Sequence, residues 1–390
     1  MSAVHRVTAA ASAILAAVTI TAATTTGTAS AVTGPLPGNG PSGTPFPSKD
    51  GRYVAFISFA SNLVPGDTNN DWDVFIRDTV AKTTRLVSKA LTGAGLAAIS
   101  ADGRYLAVTS RAPLVAGDTN GMNDAYRFDT ATGALVRASV TSTGGAAPDG
   151  ADAEGMSSDG RYVLFSSPST LTPGDTNGRA DIYVRDLVAN TTKRVSTTPT
   201  GAQFTSDSRE ASISPNGRWI AWTVNRNGYA PDAYKWDRNT GKTTLILRNT
   251  HTATTETWPG LLVATNGGVS YQKGTYNTDT DETTITVYAV ASPATLSWQT
   301  KVPYNGWYAP SLWGAMAAIQ WGADTNAYPG PGLVVMDKTG VLYRLPAAVE
   351  TFGMKMTQDG KQVLWHDYEQ TYRWVLATGA VELISAANGT

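Results

Sequence analysis

Short runs of apolar, β-branched and aromatic residues recur along the chain, each closed off by Gly, Asn, Asp or Thr. The clearest set lies between Ser157 and Ser196. There SSDGRYVLFSS is followed by the polar loop PSTLTPGDTNGRA and then by DIYVRDLVANTTKRVS. Runs of this length bounded by turn residues predict strands rather than helices. An Asp159-Gly160 turn leads into the first run, and Asp181 to Arg185 alternates as a second strand. A further turn precedes a short strand ending at Val195. One such unit is an antiparallel sheet of about four strands, roughly 40 to 45 residues long.

Near-copies occupy residues 48–88, 100–139 and 214–247, the last with a shorter loop. A blurred fifth unit runs from Thr257 to Thr300, with strands near Val269–Gln272 and Thr284–Val290, and a sixth from about Ala309 to Pro346. The seventh, residues 358–385, is clear again. Short strands such as Leu96–Ser100, Ala151–Ser157 and Arg209–Ser214 lead straight into the next Asp-Gly or Asn-Gly turn. Two-residue turns with both central residues at positive φ are expected there, making each unit a meander A-B-C-D. A four-stranded meander cannot bury both faces alone, whereas copies stacked around an axis bury them all. The fold expected is therefore all-β: a seven-bladed β-propeller of four-stranded antiparallel blades, with six or eight blades left open by the divergent units.

At this point the residues carry a family resemblance. S-x-D-G-R-Y-V-A-F, then D-V-F-I-R-D and a Thr-rich last strand, resembles the WD40-like (PD40) repeats of TolB-type propellers over about residues 44–385. The resemblance implies the fold. It does not select among the translocation subunits, binding modules and peptidase-linked propellers of that group. The additional N-terminal domain of the periplasmic subunits has no counterpart in this sequence, so their partners are not carried over.

Composition adds a compartment and removes several chemistries. Met1 to Arg6 carries a positive charge, Val7 to Ile20 is apolar and Ala-rich, and Ala29-Ser30-Ala31 is a small-x-small site. Residues 1–31 read as a secretory signal peptide cut after Ala31, residues 32–47 as a Pro/Gly-rich lead-in with Phe46 a candidate to pair in the first sheet, and 48–390 as one propeller domain. The expected protein is secreted and extracellular, with no membrane insertion and a monomeric state. Cysteine is absent, which removes disulfides and thiolate chemistry. A formal net charge of -1 without a basic patch argues against nucleic acid as a partner.

The recurring polar constellation is the B–C loop, PGDTNNDWD, AGDTNGMND and PGDTNGRAD in the first three units. Asp67, Asn69 and Asp73 share their spacing with Asp118, Asn120, Asp124 and with Asp175, Asn177, Asp181, and Asp71 adds a carboxylate in the first. Oxygen ligands at alternate positions in a Gly-containing turn suit a hard cation, so Ca²⁺ is the candidate cofactor. The competing reading has these side chains bonding their own backbone in Asx-turns, with Leu63, Leu114 and Leu171 anchoring each loop. Tyr304, Trp307 and Tyr308 fall in PYNGWYAP, read as a D–A connection, and are candidate contacts for a polysaccharide or protein ligand. Trp219, Trp222, Trp365 and Trp374 are read as packing between blades.

Catalytic signals are poor. The mature chain has His251 and His366 only, the latter read as a solvated loop histidine, and neither a G-x-S-x-G elbow nor an H-E-x-x-H motif. The expectation is a non-catalytic binding or interaction module whose ligand sits on the face bearing the DTN loops. The alternative is a polysaccharide hydrolase or lyase using face carboxylates.

Overall fold

A computed structural model of the chain describes residues 36–388, apart from 89–94, 226–230, 249–254, 257–260, 278–281, 292–293, 304–306, 311–315, 322–331, 338–339 and 346–351. The proposed signal peptide and His251 lie outside these residues. The described chain is strand and turn, with no helix.

Blade I comprises β1 (Phe46–Pro47), β2 (Tyr53–Ser58), β3 (Asp73–Asp78) and β4 (Thr83–Ser88). Blade II is β5 (Gly95–Ile99), β6 (Tyr105–Ser110), β7 (Asp124–Asp129) and β8 (Leu135–Arg137). Blade III is β9 (Asp152–Met156), β10 (Tyr162–Ser167), β11 (Asp181–Asp186) and β12 (Thr191–Arg194). Blade IV is β13 (Ser208–Ile213), β14 (Trp219–Val224), β15 (Asp232–Asp237) and β16 (Lys242–Leu247). Blade V splits its inner edge into β17 (Thr255–Glu256) and β18 (Leu262–Val263), followed by β19 (Val269–Asn277), β20 (Glu282–Ala291) and β21 (Ala294–Pro303). Blade VI is β22 (Trp307–Pro310), β23 (Met316–Trp321), β24 (Gly332–Asp337) and β25 (Gly340–Leu345). Blade VII is β26 (Phe352–Met356), β27 (Gln362–His366), β28 (Thr371–Val375) and β29 (Ala380–Leu383).

Seven sheets thus stand among the described residues, six of four strands and blade V of five. Each is an antiparallel meander, and neighbouring sheets meet at or next to their inner edges: β1 beside β5, β5 beside β9, β9 beside β13, β13 beside β18, β19 beside β22, β22 beside β26 and β26 beside β1. The packing is radial. Ala55 and Val74 of blade I meet Leu106, Val108 and Tyr126 of blade II. Leu164 and Ile182 of blade III meet Ile220, Trp222 and Trp236 of blade IV. Leu364 and Ile384 of blade VII meet Val54, Phe56 and Phe75 of blade I, which closes the ring. All six residues of β10 are buried, the signature of a strand covered on both faces. Trp222, Trp365 and Trp374 pack between blades as expected.

The S-x-D-G-R-Y motif is the joint between blades. In blade III the Ser157 hydroxyl donates to Asp159 at 2.5 Å and accepts the Tyr162 N–H at 3.0 Å. Asp159 in turn accepts the Arg161 N–H at 3.1 Å. These bonds shape a turn closed by Gly160 N–H to Ser157 O at 2.9 Å. Only the glycine takes positive φ, 72°, so the two-residue turn with two positive φ values expected from the sequence is corrected. The Ser and Asp side chains cap a longer loop that places Gly160, not Asp159, in the left-handed region. A Cβ on Gly160 would lie 2.3 Å from the Tyr105 ring of blade II. The same approach joins Tyr53 to Gly103, Tyr162 to Gly217 and Trp219 to Gly267. At the I–VII seam Gln362 takes the aromatic's place against Gly51.

The segment read as a linker is bound to the ring. Phe46–Pro47 forms β1, pairing Phe46 with Ala55. Upstream, Gly38 N–H donates to Ser385 O, Ala387 N–H to Leu36 O, and Gln370 Nε2 to Gly38 O, each at 2.9 Å. Backbone and amide bonds of this kind leave no hydrophobic period in the sequence. Blade VII supplies all four of its own strands, so the seam is strapped rather than strand-swapped.

Candidate functional site

Two places concentrate polar side chains: the B–C loops on one face and the central channel. In blade II, Tyr126 and Arg137 are cross-strand partners on β7 and β8. The Tyr126 hydroxyl donates to Asp118, and the Arg137 guanidinium stands 3.7 Å from Asp118 and 3.6 Å from Asp124. Ser139 donates to Asp124, and Asn120 donates to Asp124 and to Ala147 O, both at 2.9 Å. Blade III repeats the arrangement with Tyr183, Ser196 and Asn177, and with Arg194 3.3 Å from Asp175 and 3.6 Å from Asp181. Burial raises the Asp124 and Asp181 carboxyls against these donors, which pull the other way.

The aspartates and asparagines therefore do come together in blades II and III, but around an arginine. A guanidinium occupies the place where the Ca²⁺ reading puts the ion. Blade I differs: its cross-strand pair is Phe75 and Leu86, without the phenol and the guanidinium. Asp67 and Asp73 are buried there, Asn69 is exposed, and Asp71 accepts the Trp72 N–H at 2.7 Å. Among the described residues no three carboxylate or imidazole groups converge as a metal cluster. Leu63 and Leu171 are buried beneath their loops and Leu114 packs partly against its blade.

Of the aromatic candidates, Tyr304 lies outside the described residues. Trp307 and Tyr308 stand on β22 rather than in a connection, opposite Gln320 and Ile319 of β23. An aromatic pair that sequence reasoning missed is Phe59 with Trp72 in the blade I loop, 40% and 37% exposed, with ring centroids 6.1 Å apart. His366 is corrected from a solvated to a buried side chain. It ends β27 against Phe352, its Nδ1 accepts the Tyr368 N–H at 3.3 Å, and burial lowers its pKa.

The inner strands enclose a central cavity of about 400 Å³. Each of β5, β9, β13 and β26 carries a register shift at its middle, which re-aims the side chains there. Phe46, Ala98, Ser212, Leu262, Glu154 and Lys355 are among the lining residues. Glu154 accepts the Ala211 N–H at 3.3 Å and the Ser166 hydroxyl. Burial raises its pKa, and the charges of Asp152 and Glu210 add to the rise. Glu210 sits at the β13 shift with φ of 52° and accepts Thr223 Oγ1 at 3.3 Å. Lys355, on β26, holds its ammonium 5.2 Å from the Phe46 ring centroid. Its surface reaches the lumen while protein surrounds it, and that enclosure lowers its pKa. No composition or spacing signal pointed to these residues, because the two charges that line the cavity, Glu154 and Lys355, come from blades far apart in sequence.

The end of the channel at the A–B turns is tied by a collar. Lys49 N–H donates to Ala101 O, Ala101 N–H to Ser158 O, and Ser158 N–H to Pro215 O, at 3.4, 2.9 and 2.9 Å. Pro215 has no N–H to pass on, and Asn216 Nδ2 donates to Thr265 O at 3.1 Å in its place. The seven radial sheets, the closed seam and the axial channel decide the fold. The chain is a β-propeller.

The sequence matches no family model and no curated protein. Solved structures share the propeller fold. One is an oligogalacturonate lyase in complex with manganese, TM-score 0.56 at 12% identity, covering 85% of this chain and 87% of that one. Another is from a study of two prolyl endopeptidases, TM-score 0.55 at 12% identity, covering 88% of this chain and 49% of that one. TolB from Acinetobacter baumannii also matches, with TM-score 0.42 at 17% identity, covering 67% of this chain and 55% of that one. The propeller thus spans about half the length of the TolB and prolyl endopeptidase chains. No helix among the described residues is long and apolar enough to cross a membrane.

Proposed function

We propose that this propeller is a binding or interaction module that takes its ligand into the central channel from the face bearing the B–C loops. The observation that carries this reading is the contrast between the two polar regions. The loop carboxylates of blades II and III are engaged by arginine, tyrosine, serine and asparagine. The channel instead offers a cavity of about 400 Å³ whose wall mixes apolar and polar surface and carries separate charges, and a concave site with a few convergent polar groups suits a small ligand. Phe59 and Trp72, and Trp307 and Tyr308 on β22, are the aromatic contacts assigned to the approach. A secretory signal peptide on residues 1–31 supports an exported protein, and N-terminal sequencing of secreted material should begin at Val32.

The test is a screen of peptides and acidic and neutral glycans, read by hydrogen exchange. A bound ligand should slow exchange in β9, β13 and β26. A ligand that protects only the outer strands would count against the channel. A second reading is a polysaccharide lyase or hydrolase, favoured by one observation: Glu154 is a carboxyl held towards its protonated form in the channel, as a general acid must be. Oligogalacturonate, named for the lyase of similar fold, is the substrate to try first. Release of unsaturated uronate that is lost in Glu154→Gln would support the enzyme, and its absence would leave the binding module.

A further inference from the structure

The charges in the channel wall have opposite signs and stand apart. Glu154 is on blade III and Lys355 on blade VII, three blades away around a ring of seven, and so on nearly facing walls. By register from the Ser157 and Thr357 joints, Glu154 is the third residue back and Lys355 the second, so they lie at almost the same depth. Among the described residues neither Glu154 nor Lys355 stands in an ion pair, and Glu154 is met by the Ala211 N–H and the Ser166 hydroxyl. Glu210 adds negative charge on the blade IV side of Glu154, held there by a backbone that a non-glycine residue adopts only at a cost. Between the two walls the lining alternates apolar residues such as Ala98, Leu262 and Met354 with the uncharged polar residues Ser158, Ser212 and Gln358.

Resting on the channel as the ligand site, we propose that it binds a short peptide with both termini free, the N-terminal ammonium against Glu154 and the C-terminal carboxylate on Lys355. Unpaired charges kept in a partly dehydrated wall are costly unless something meets them, and a zwitterion meets both at once. A free α-amino acid carries both charges on one carbon, whereas Glu154 and Lys355 stand three blades apart. The cavity volume sets the upper bound at about two to four residues. The uncharged, mixed wall between the charges accepts small side chains without selecting them strongly.

The test is calorimetric titration of the full chain with Ala-Ala-Ala, with its N-acetylated form and with its C-terminal amide. The free tripeptide should bind, and each cap should weaken it at least tenfold. Glu154→Gln should erase the penalty of N-acetylation while keeping that of the amide, and Lys355→Met should do the reverse. Both substitutions conserve volume, and unchanged melting temperatures would verify folding. Capped peptides that bind as well as the free one, or no binding by any tripeptide, would overturn this inference. The channel reading itself falls separately, only if no ligand of the wider screen slows exchange in β9, β13 and β26.

Discussion

Arg194 stands between Asp175 and Asp181 with nine-tenths of its side chain out of water, and its role is to neutralise carboxylates that the loop buries. Removing one partner from such a group leaves charge buried and unpaired. Arg194→Met should therefore cost about 3 kcal/mol in urea unfolding; a loss below about 1 kcal/mol would mean that the phenol and amide donors suffice alone. Arg161 with Asp186 makes a different kind of pair. Two hydrogen bonds, of 2.9 and 2.7 Å, hold the Asp186 carboxyl down at about 2. Because the folded value lies below the unfolded one, the stability gained is present above the ordinary Asp range and is lost as pH falls towards about 2. An Arg161→Met variant should be less stable than wild type at neutral pH, and the two should converge as acid unfolding is followed below the ordinary Asp pKa. A gap that stays constant down to the lowest pH would assign the effect to packing of the arginine over Tyr162 instead. At this scale the Asp and Asn spacing was legible, but its chemistry was not: Arg137 and Arg194 lie 13 residues beyond Asp124 and Asp181, and only the β7–β8 and β11–β12 registers bring them back.

Within the elements, glycine explains why the motif repeats. Gly160 and Gly174 both take positive φ, 72° and 81°, yet an added Cβ meets the Tyr105 ring at one and nothing within 4 Å at the other. Gly174→Ala should cost about 1 kcal/mol, from backbone strain alone. Gly160→Ala adds a clash at the blade II–III joint and should cost about 3 kcal/mol or more. Equal effects in thermal unfolding would remove the joint from the account. The strands themselves were legible wherever both faces are buried, as in β10, because a continuous apolar run needs no partner to be recognised. Blade V was blurred for a physical reason as well. Its hairpin strands extend to nine and ten residues, and its inner edge is split in two, so the common period is lost.

The whole molecule depends on closing a ring whose first and last blades are far apart in sequence. The closure repeats the internal joints: Arg373 of blade VII donates to Gly51 O at 3.2 Å, as Arg127 of blade II donates to Gly160 O at 3.0 Å. The strap of residues 36–43 then crosses the seam, with Thr371 Oγ1 donating to Gly43 O at 3.1 Å and Ser42 paired with Ser58. Deleting residues 36–43 while keeping β1 should lower the melting temperature by about 5 °C or more, with faster hydrogen exchange concentrated in blades I and VII. Uniform loosening of all blades, or no change, would show that the joints close the ring without the strap. The repeating four-strand unit, its strand order and the turn glycines were determined by the sequence, because each is a local consequence of hydrophobic period and backbone freedom repeated at intervals; the number of blades was left open by the two divergent units. The tertiary structure alone decided which charges are neutralised in the loops and which stand in the channel wall. Those groups come from different blades, and no spacing along one strand records what faces it across the axis.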